Sequence, residues 1–260
     1  MLGAIDQGLI FAFMALGVFM TFRILNFADL TVDGSFVTGG ATAAILIFNG
    51  QSPILATAMG FVVGAGAGVI TGLLHTKLRI DPLLSSILVM LALYSVNTRI
   101  MWAGDDGVER ANVPLLGRHT IFSWLVQPQE DGTMRVLRGT WVSIAFIAAG
   151  VIVAVVAVNW LMSTNFGLAI WATGDNPAMA ASMGISTDFT KIVTLAISNG
   201  LVGISGALMA QYQGVSNLAD GAGTILIGLA SVILGNAIFG TRFLWLATIG
   251  VVAGSVLYRV

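Results

Sequence analysis

The chain has 260 residues, 57% of them hydrophobic and 9% charged, with a mean hydropathy of +0.95, where an ordinary soluble domain carries about 25% charged residues. Such a composition belongs to an integral membrane protein, and a net charge of −1 leaves no basic footprint for nucleic acid. The absence of cysteine excludes disulfides, thiolate metal sites and cysteine nucleophiles.

A bilayer asks for about 20 apolar residues per crossing helix, and eight candidate spans are present, near 3–22, 30–48, 53–74, 83–101, 141–161, 190–211, 222–239 and 243–258. Short alternating strands of the membrane-barrel type are absent. The fold class is therefore all-α, a polytopic bundle of about eight transmembrane helices in a single domain over residues 1–260. The first apolar run has neither a basic leader nor a small-residue cleavage site, so it reads as a retained span.

Between the first two spans, Asp29 and Asp33 are four residues apart and share a helix face near the membrane boundary. Ionisable groups at that depth are costly and often functional. The competing reading is that Asp29 caps the span and Asp33 faces the polar boundary. In the third span Gly60, Gly64, Gly68 and Gly72 place four positions without side chains on one face, which suits close helix packing within the bundle or against a second copy. Gly200, Gly203 and Gly206 suggest another close crossing. Asn97, Ser198, Asn199 and Gln211 lie inside apolar spans, where polar side chains commonly hydrogen-bond between helices.

The basic residues order the topology. Arg23, Lys77, Arg79, Lys191 and Arg242 fall on one side if the spans alternate, and short cytoplasmic loops carry the Lys and Arg. The N-terminus is then outside, as is the 102–140 connection. That connection holds Arg110, Arg118, Arg135 and Arg138, offset by five acids (Asp105, Asp106, Glu109, Glu130 and Asp131), with Gln127 and Gln129 among them. It surrounds an apolar island, Ile121 to Val126, expected on the membrane surface or against a docking protein. Within the inner 163–189 segment, Asp175 or Asn176 suits a helix cap, Pro177 the first helical position and Gly184 the residue past the end. Asn26-Phe-Ala-Asp29 is echoed by Asn217-Leu-Ala-Asp220 on the opposite side, as an inverted repeat would give. His75 and His119 have no partner at ligand spacing, so no metal residues are assigned. No catalytic residues are assigned either: the phosphate-binding G-x-x-x-x-G-K-[ST] loop and the nucleophile-and-base arrangements of hydrolases are missing.

Three blocks carry a resemblance: Ile24-Leu-Asn-Phe-Ala-Asp-Leu-Thr-Val-Asp-Gly-Ser-Phe36, Gly167 to Ile185 with its Gly174-Asp-Asn-Pro177 core, and Ser198 to Gly214, extended by Gly221 to Gly235. The chain resembles the permease subunits of ABC importers in the branched-chain amino-acid and ribose group, nearest a branch whose implied cargo is aromatic or other amino acids. The resemblance implies that Gly174, Asp175, Asn176, Pro177, Ala178, Met179, Met183 and Gly184 form a coupling helix seated on a cytoplasmic ATPase. Asn26, Asp29, Asp33, Ser198 and Asn199 are the candidates for the pathway or gate. The implied partners are ABC ATPase subunits holding ATP and Mg, a second permease copy or paralogue, an external binding protein and the lipid bilayer of a bacterial inner membrane. No cofactor is expected on this chain. Trp171 stands where that family generally has Arg and Asn236 where the branch often has an acid, so an ion pair using those places is lost. Family members usually continue past the position of Val260, so a shortened C-terminus is expected. The rival function is a self-sufficient secondary transporter or channel driven by ion gradients; a structural membrane subunit would leave the coupling motif idle.

Overall fold

The computed structural model describes residues 2–102, 112–115, 117–124, 140–240 and 243–260. Among them seven helical stretches are long and apolar enough to cross a membrane, and Leu244–Arg259 is a shorter eighth. The elements are α1 (Leu2–Val18, continued by a π-helical stretch Phe19–Ile24), α2 (Thr31–Phe48), α3 (Pro53–Thr76), α4 (Pro82–Met101), β1 (Asn112–Pro114), α5 (Ile121–Trp124), α6 (Trp141–Ser163), α7 (Asn165–Asp175), α8 (Pro177–Ser182), α9 (Thr187–Gln213), β2 (Val215–Asn217), a 3-10 turn (Leu218–Gly221), α10 (Thr224–Phe239) and α11 (Leu244–Arg259). Local chemistry starts most of them. Ser52 and Asp81 cap α3 and α4, each followed by a proline at the first helical position. Thr140 and Ser143 close a reciprocal capping box on α6.

The core is organised on α9, with α1, α2 and α3 against it. The glycine face of α3 explains the approach. A Cβ on Gly64 or Gly68 would strike the backbone of Asn199 or Leu195, one on Gly72 would lie 2.9 Å from Ile192 Cα, and one on Gly60 would lie 3.0 Å from Ala207 Cβ. The repeat thus packs inside this chain, antiparallel to α9. Gly203 meets Gly39 from α2 on one side and Gly60 on the other, so three helices cross at one glycine node.

Three contacts order the connections. Asn26 Nδ2 donates to the Gly174 carbonyl at 3.0 Å, and Lys77 pairs with Asp188 at 3.8 Å. Linker 25–30, linker 77–81 and the 163–189 segment, the docking segment that the resemblance implies, therefore share one face. At the other face β1 pairs antiparallel with β2, Val113 opposite Ser216. Alternating spans require this arrangement. The apolar island behaves differently from expectation: Ile121 and Phe122 are 7% and 0% exposed, and Phe122 meets Tyr212 edge to face at 5.5 Å. Those two side chains belong to the core and are not surface positions. Leu125 and Val126, and the charged residues at 105–110 and 127–138, lie outside the described residues, as does Arg242.

After α9 ends at the left-handed Gly214 (φ 75°), the chain turns back along α2. Ser216 lies beside Gly40, and Gly221 lies against the Asp33 carbonyl and Val37. From Gly40 to Asp33 is about 10 Å of helix. Residues 215–223 thus re-enter the bundle, and α10 starts part-way through it.

Candidate functional site

The docking segment is built by its caps. Asn176 accepts from Met179 N at 3.0 Å with Pro177 first in α8, and Gly184 ends the turn at φ +85°. Asp175 is instead the last residue of α7. Ala178 is exposed, Met179 is 57% and Met183 70% exposed, while Ala180 turns inward at 1%. Leu168, Trp171 and Phe189 are exposed on the adjoining helices, which enlarges the apolar surface beyond the residues picked from sequence.

Gly174 ties this segment to the first linker. Its Cβ position is taken by the Ile24 carbonyl, so only glycine lets α7 pass that close. The partner strand of chain is itself unusual. The π stretch places Leu25 N on Met20 O at 3.0 Å, and Asn26 adopts φ 53°, which its short polar side chain tolerates. Phe27 packs edge-on to His75 at 5.2 Å; His75 Nδ1 reaches the Ile80 carbonyl at 2.8 Å and Nε2 reaches Lys191 Nζ at 3.1 Å. The docking segment, the first linker and the ends of α3 and α9 on this face therefore form one connected body.

The two acids sit in different networks. Asp29 is fully buried; it accepts from Thr31 N at 2.9 Å and from Asn199 Nδ2 at 2.6 Å, while Ser35 Oγ donates to Asn199 Oδ1 at 2.7 Å. Burial pushes the Asp29 carboxyl above the ordinary carboxylate range, against the pull of the Thr31 and Asn199 donors. Asp33 reaches across the fold. It accepts from Gly223 N at 3.0 Å, Thr224 Oγ1 at 2.9 Å and Ile225 N at 2.8 Å. The first turn of α10 has no side-chain cap of its own, and Asp33, 190 residues away from Gly223, supplies one. Ser198 donates to the Gly17 carbonyl at 2.8 Å, holding α9 to α1. Asn26 serves the docking segment. Of the five pathway candidates, Asp33 lines a cavity between helices.

That cavity, about 630 Å³, lies between α2, α4 and the re-entrant segment; Tyr94, Asn97, Asn217 and Asp33 are its polar wall. Asn97 donates to the Gly34 carbonyl at 3.3 Å, and its buried Oδ1 has no hydrogen-bond partner. Tyr94, Asn217 and the re-entrant backbone were not singled out as site residues from sequence, although the Asn217-Leu-Ala-Asp220 echo marks the segment. Gln211 binds Ile121 N at 3.1 Å and Thr57 Oγ1 at 2.8 Å, a structural clamp far from the docking face.

The chain is 36% identical over 258 residues to a tyrosine transport system permease protein of Clostridioides difficile, covering 99% of this chain and 80% of that one. It is 27% identical over 236 residues to the ribose import permease protein RbsC of Escherichia coli, covering 89% of this chain and 67% of the relative. A probable branched-chain amino acid transport permease protein LivH of Methanocaldococcus jannaschii shares 26% over 261 residues, 95% of this chain and 76% of the relative. No solved structure matches the chain. The family described as branched-chain amino acid transport system / permease component matches residues 1–260, in keeping with the apolar helices, and the chain is a member of that permease family.

Proposed function

We propose that this chain is the membrane-spanning subunit of an ATP-driven importer of an amino acid, working with ATPase subunits that hold ATP and Mg, a second permease copy or paralogue, and an external binding protein. The carrying observation is the capped, exposed α8 turn joined by Asn26 and Gly174 to the linker that becomes α2. The docking face lies in the cytoplasm and the β1–β2 pair outside. A displacement of α8 is passed through Gly174 to residues 24–26, then along α2 to Asp33, which grips the start of α10 beside the cavity. The solute moves along the re-entrant segment 215–223. An amino-acid cargo is supported by the likeness to the tyrosine and branched-chain amino acid transport permease proteins. Asp29 and Asp33 are both already engaged by hydrogen-bond donors, which favours this reading over an ion-driven carrier that uses them as free carboxylates.

Co-expression with the neighbouring genes tests the assignment. An ATPase should co-purify with the chain and be lost from Met179→Arg, because a charge forced into an apolar contact without a partner costs several kcal/mol. Equal recovery of the ATPase with Met179→Arg removes the docking assignment.

A further inference from the structure

A second, smaller cavity of about 190 Å³ lies on the other side of the re-entrant segment, among α1, α9, α10 and α11. Gln213, Asp220, Thr224 and Arg259 are in its wall beside Phe11 and Met209. The Arg259 guanidinium lies over the Phe11 ring at 4.9 Å, and its buried Nε has no hydrogen-bond partner. Asp220 lines the same space, yet the two charges do not close on each other: among the described residues the ion pair found is Lys77–Asp188, at the other face. An intramembrane arginine is costly and calls for a partner. Here the opposite charge faces it across an open volume.

The neighbouring helix terminus does not answer that charge. Gly223 N and Ile225 N at the head of α10 are both taken by Asp33, so recognition falls to the side chains. The volume holds about six waters at ~30 Å³ each, which is also the bulk of one mid-sized amino acid. A free amino acid carries a carboxylate and an ammonium on one carbon, and so presents both counter-charges at once. Its side chain would lie against Phe11 and Met209. We propose that this cavity binds the zwitterionic head of an amino acid, with the carboxylate on Arg259 and the ammonium on Asp220. The proposal rests on the importer reading for its cargo class, and it adds Arg259 and Asp220, neither of which was assigned to a site from the sequence.

The cysteine-free chain permits a test that needs neither ATP nor a binding protein. Gln213→Cys and, separately, Ala222→Cys each place a single thiol in the wall, and the rate of maleimide modification is followed in purified protein in nanodiscs. L-tyrosine or L-leucine should slow modification, while tyramine, which lacks the carboxylate, and p-hydroxyphenylpropionate, which lacks the ammonium, should not. Adding Arg259→Gln or Asp220→Asn should raise the half-protecting concentration of the amino acid about tenfold or more, as loss of one charge-assisted bond requires. Arg259→Lys should keep part of the protection. Absence of protection by both amino acids at both thiols overturns the proposal, as does equal protection by tyramine or undiminished protection in Arg259→Gln and Asp220→Asn. Uptake by the whole complex separates the two readings: uptake without protection removes this site and keeps the importer, whereas protection without ATP-driven uptake keeps the site and removes the importer.

Discussion

Asp33 is the place where the fold is most exposed to a single substitution, because one carboxylate holds the start of α10 from another helix. It accepts three hydrogen bonds, from Gly223 N, Thr224 Oγ1 and Ile225 N. Hydrogen bonds to a charged group contribute about 1.5–3 kcal/mol each, less when the partner finds a substitute. Thr224 has one within reach, the Gly221 carbonyl at 3.3 Å, but Thr224 and Ile225 are only 4% and 5% exposed, so water cannot readily replace the rest. Asp33→Ala should therefore cost about 3–5 kcal/mol. Asp33→Asn keeps one acceptor oxygen but turns an amide N–H₂ toward a donor, and should cost about 2 kcal/mol. Asp188→Asn is the control: it removes an equal charge from a pair whose side chains are 66% and 52% exposed, worth less than about 1 kcal/mol. The assay is thermal unfolding of the purified chain in nanodiscs, together with maleimide access to Ala222→Cys as a reporter of the re-entrant segment. The expected order of destabilisation is Asp33→Ala, then Asp33→Asn, then Asp188→Asn. Asp33→Ala unfolding at the wild-type temperature with unchanged access at Ala222→Cys would falsify the capping argument and the transmission route built on it.

Gly64→Leu and Gly68→Leu should abolish folded protein, since their side chains must occupy the backbone of α9, whereas Ile70→Ala, on a side chain 52% exposed, should be tolerated; equal yields of all three by size-exclusion chromatography contradict the packing. Gly174→Ala should leave the helices intact but loosen the docking segment, measured as lower ATPase stimulation by cargo in the assembled complex; unchanged stimulation removes Gly174 from the transmission route. Asp29→Asn should lie within about 1 kcal/mol of wild type, because flipping the Asn199 amide rebuilds the network with Ser35. Since burial raises the Asp29 pKa in the folded state, the unfolded chain releases this proton first; stability is greatest below the ordinary value of 3.8 and falls as pH rises through it, until Asp29 also ionises in the fold. Asp29→Asn should remove that acid-side slope, and a slope identical to wild type contradicts the assignment. For orientation, single cysteines at Gln51 and Asn176 should divide: an impermeant reagent in intact cells labels Gln51 only, and labelling of Asn176 reverses the topology.

Much of this was legible in the sequence because the signals are local. The spans follow from runs of apolar residues, the α8 turn from Asn176, Pro177 and Gly184, and the α3–α9 crossing from glycines at a four-residue period. What escaped was decided by contacts between distant residues. Nothing near Gly223 indicates that its helix will be capped by Asp33, a residue of another helix. The burial of Ile121 and Phe122 escaped because these side chains read alike on a membrane surface and in a core; Gln211, which binds Ile121 N, holds them in the core. The re-entrant segment was hidden because residues 214–223 read as an ordinary polar turn, and only their course along α2 brings Asp220 opposite Arg259.

ATP-driven uptake is the most direct test of the importer assignment. The chain, reconstituted in proteoliposomes with the ATPase that co-purifies and the binding protein encoded beside it, should accumulate L-tyrosine or another amino acid only when ATP and Mg are supplied to the ATPase side, and Met179→Arg should lack this uptake. Accumulation by the chain alone, driven by an imposed proton or sodium gradient and indifferent to ATP, would contradict it.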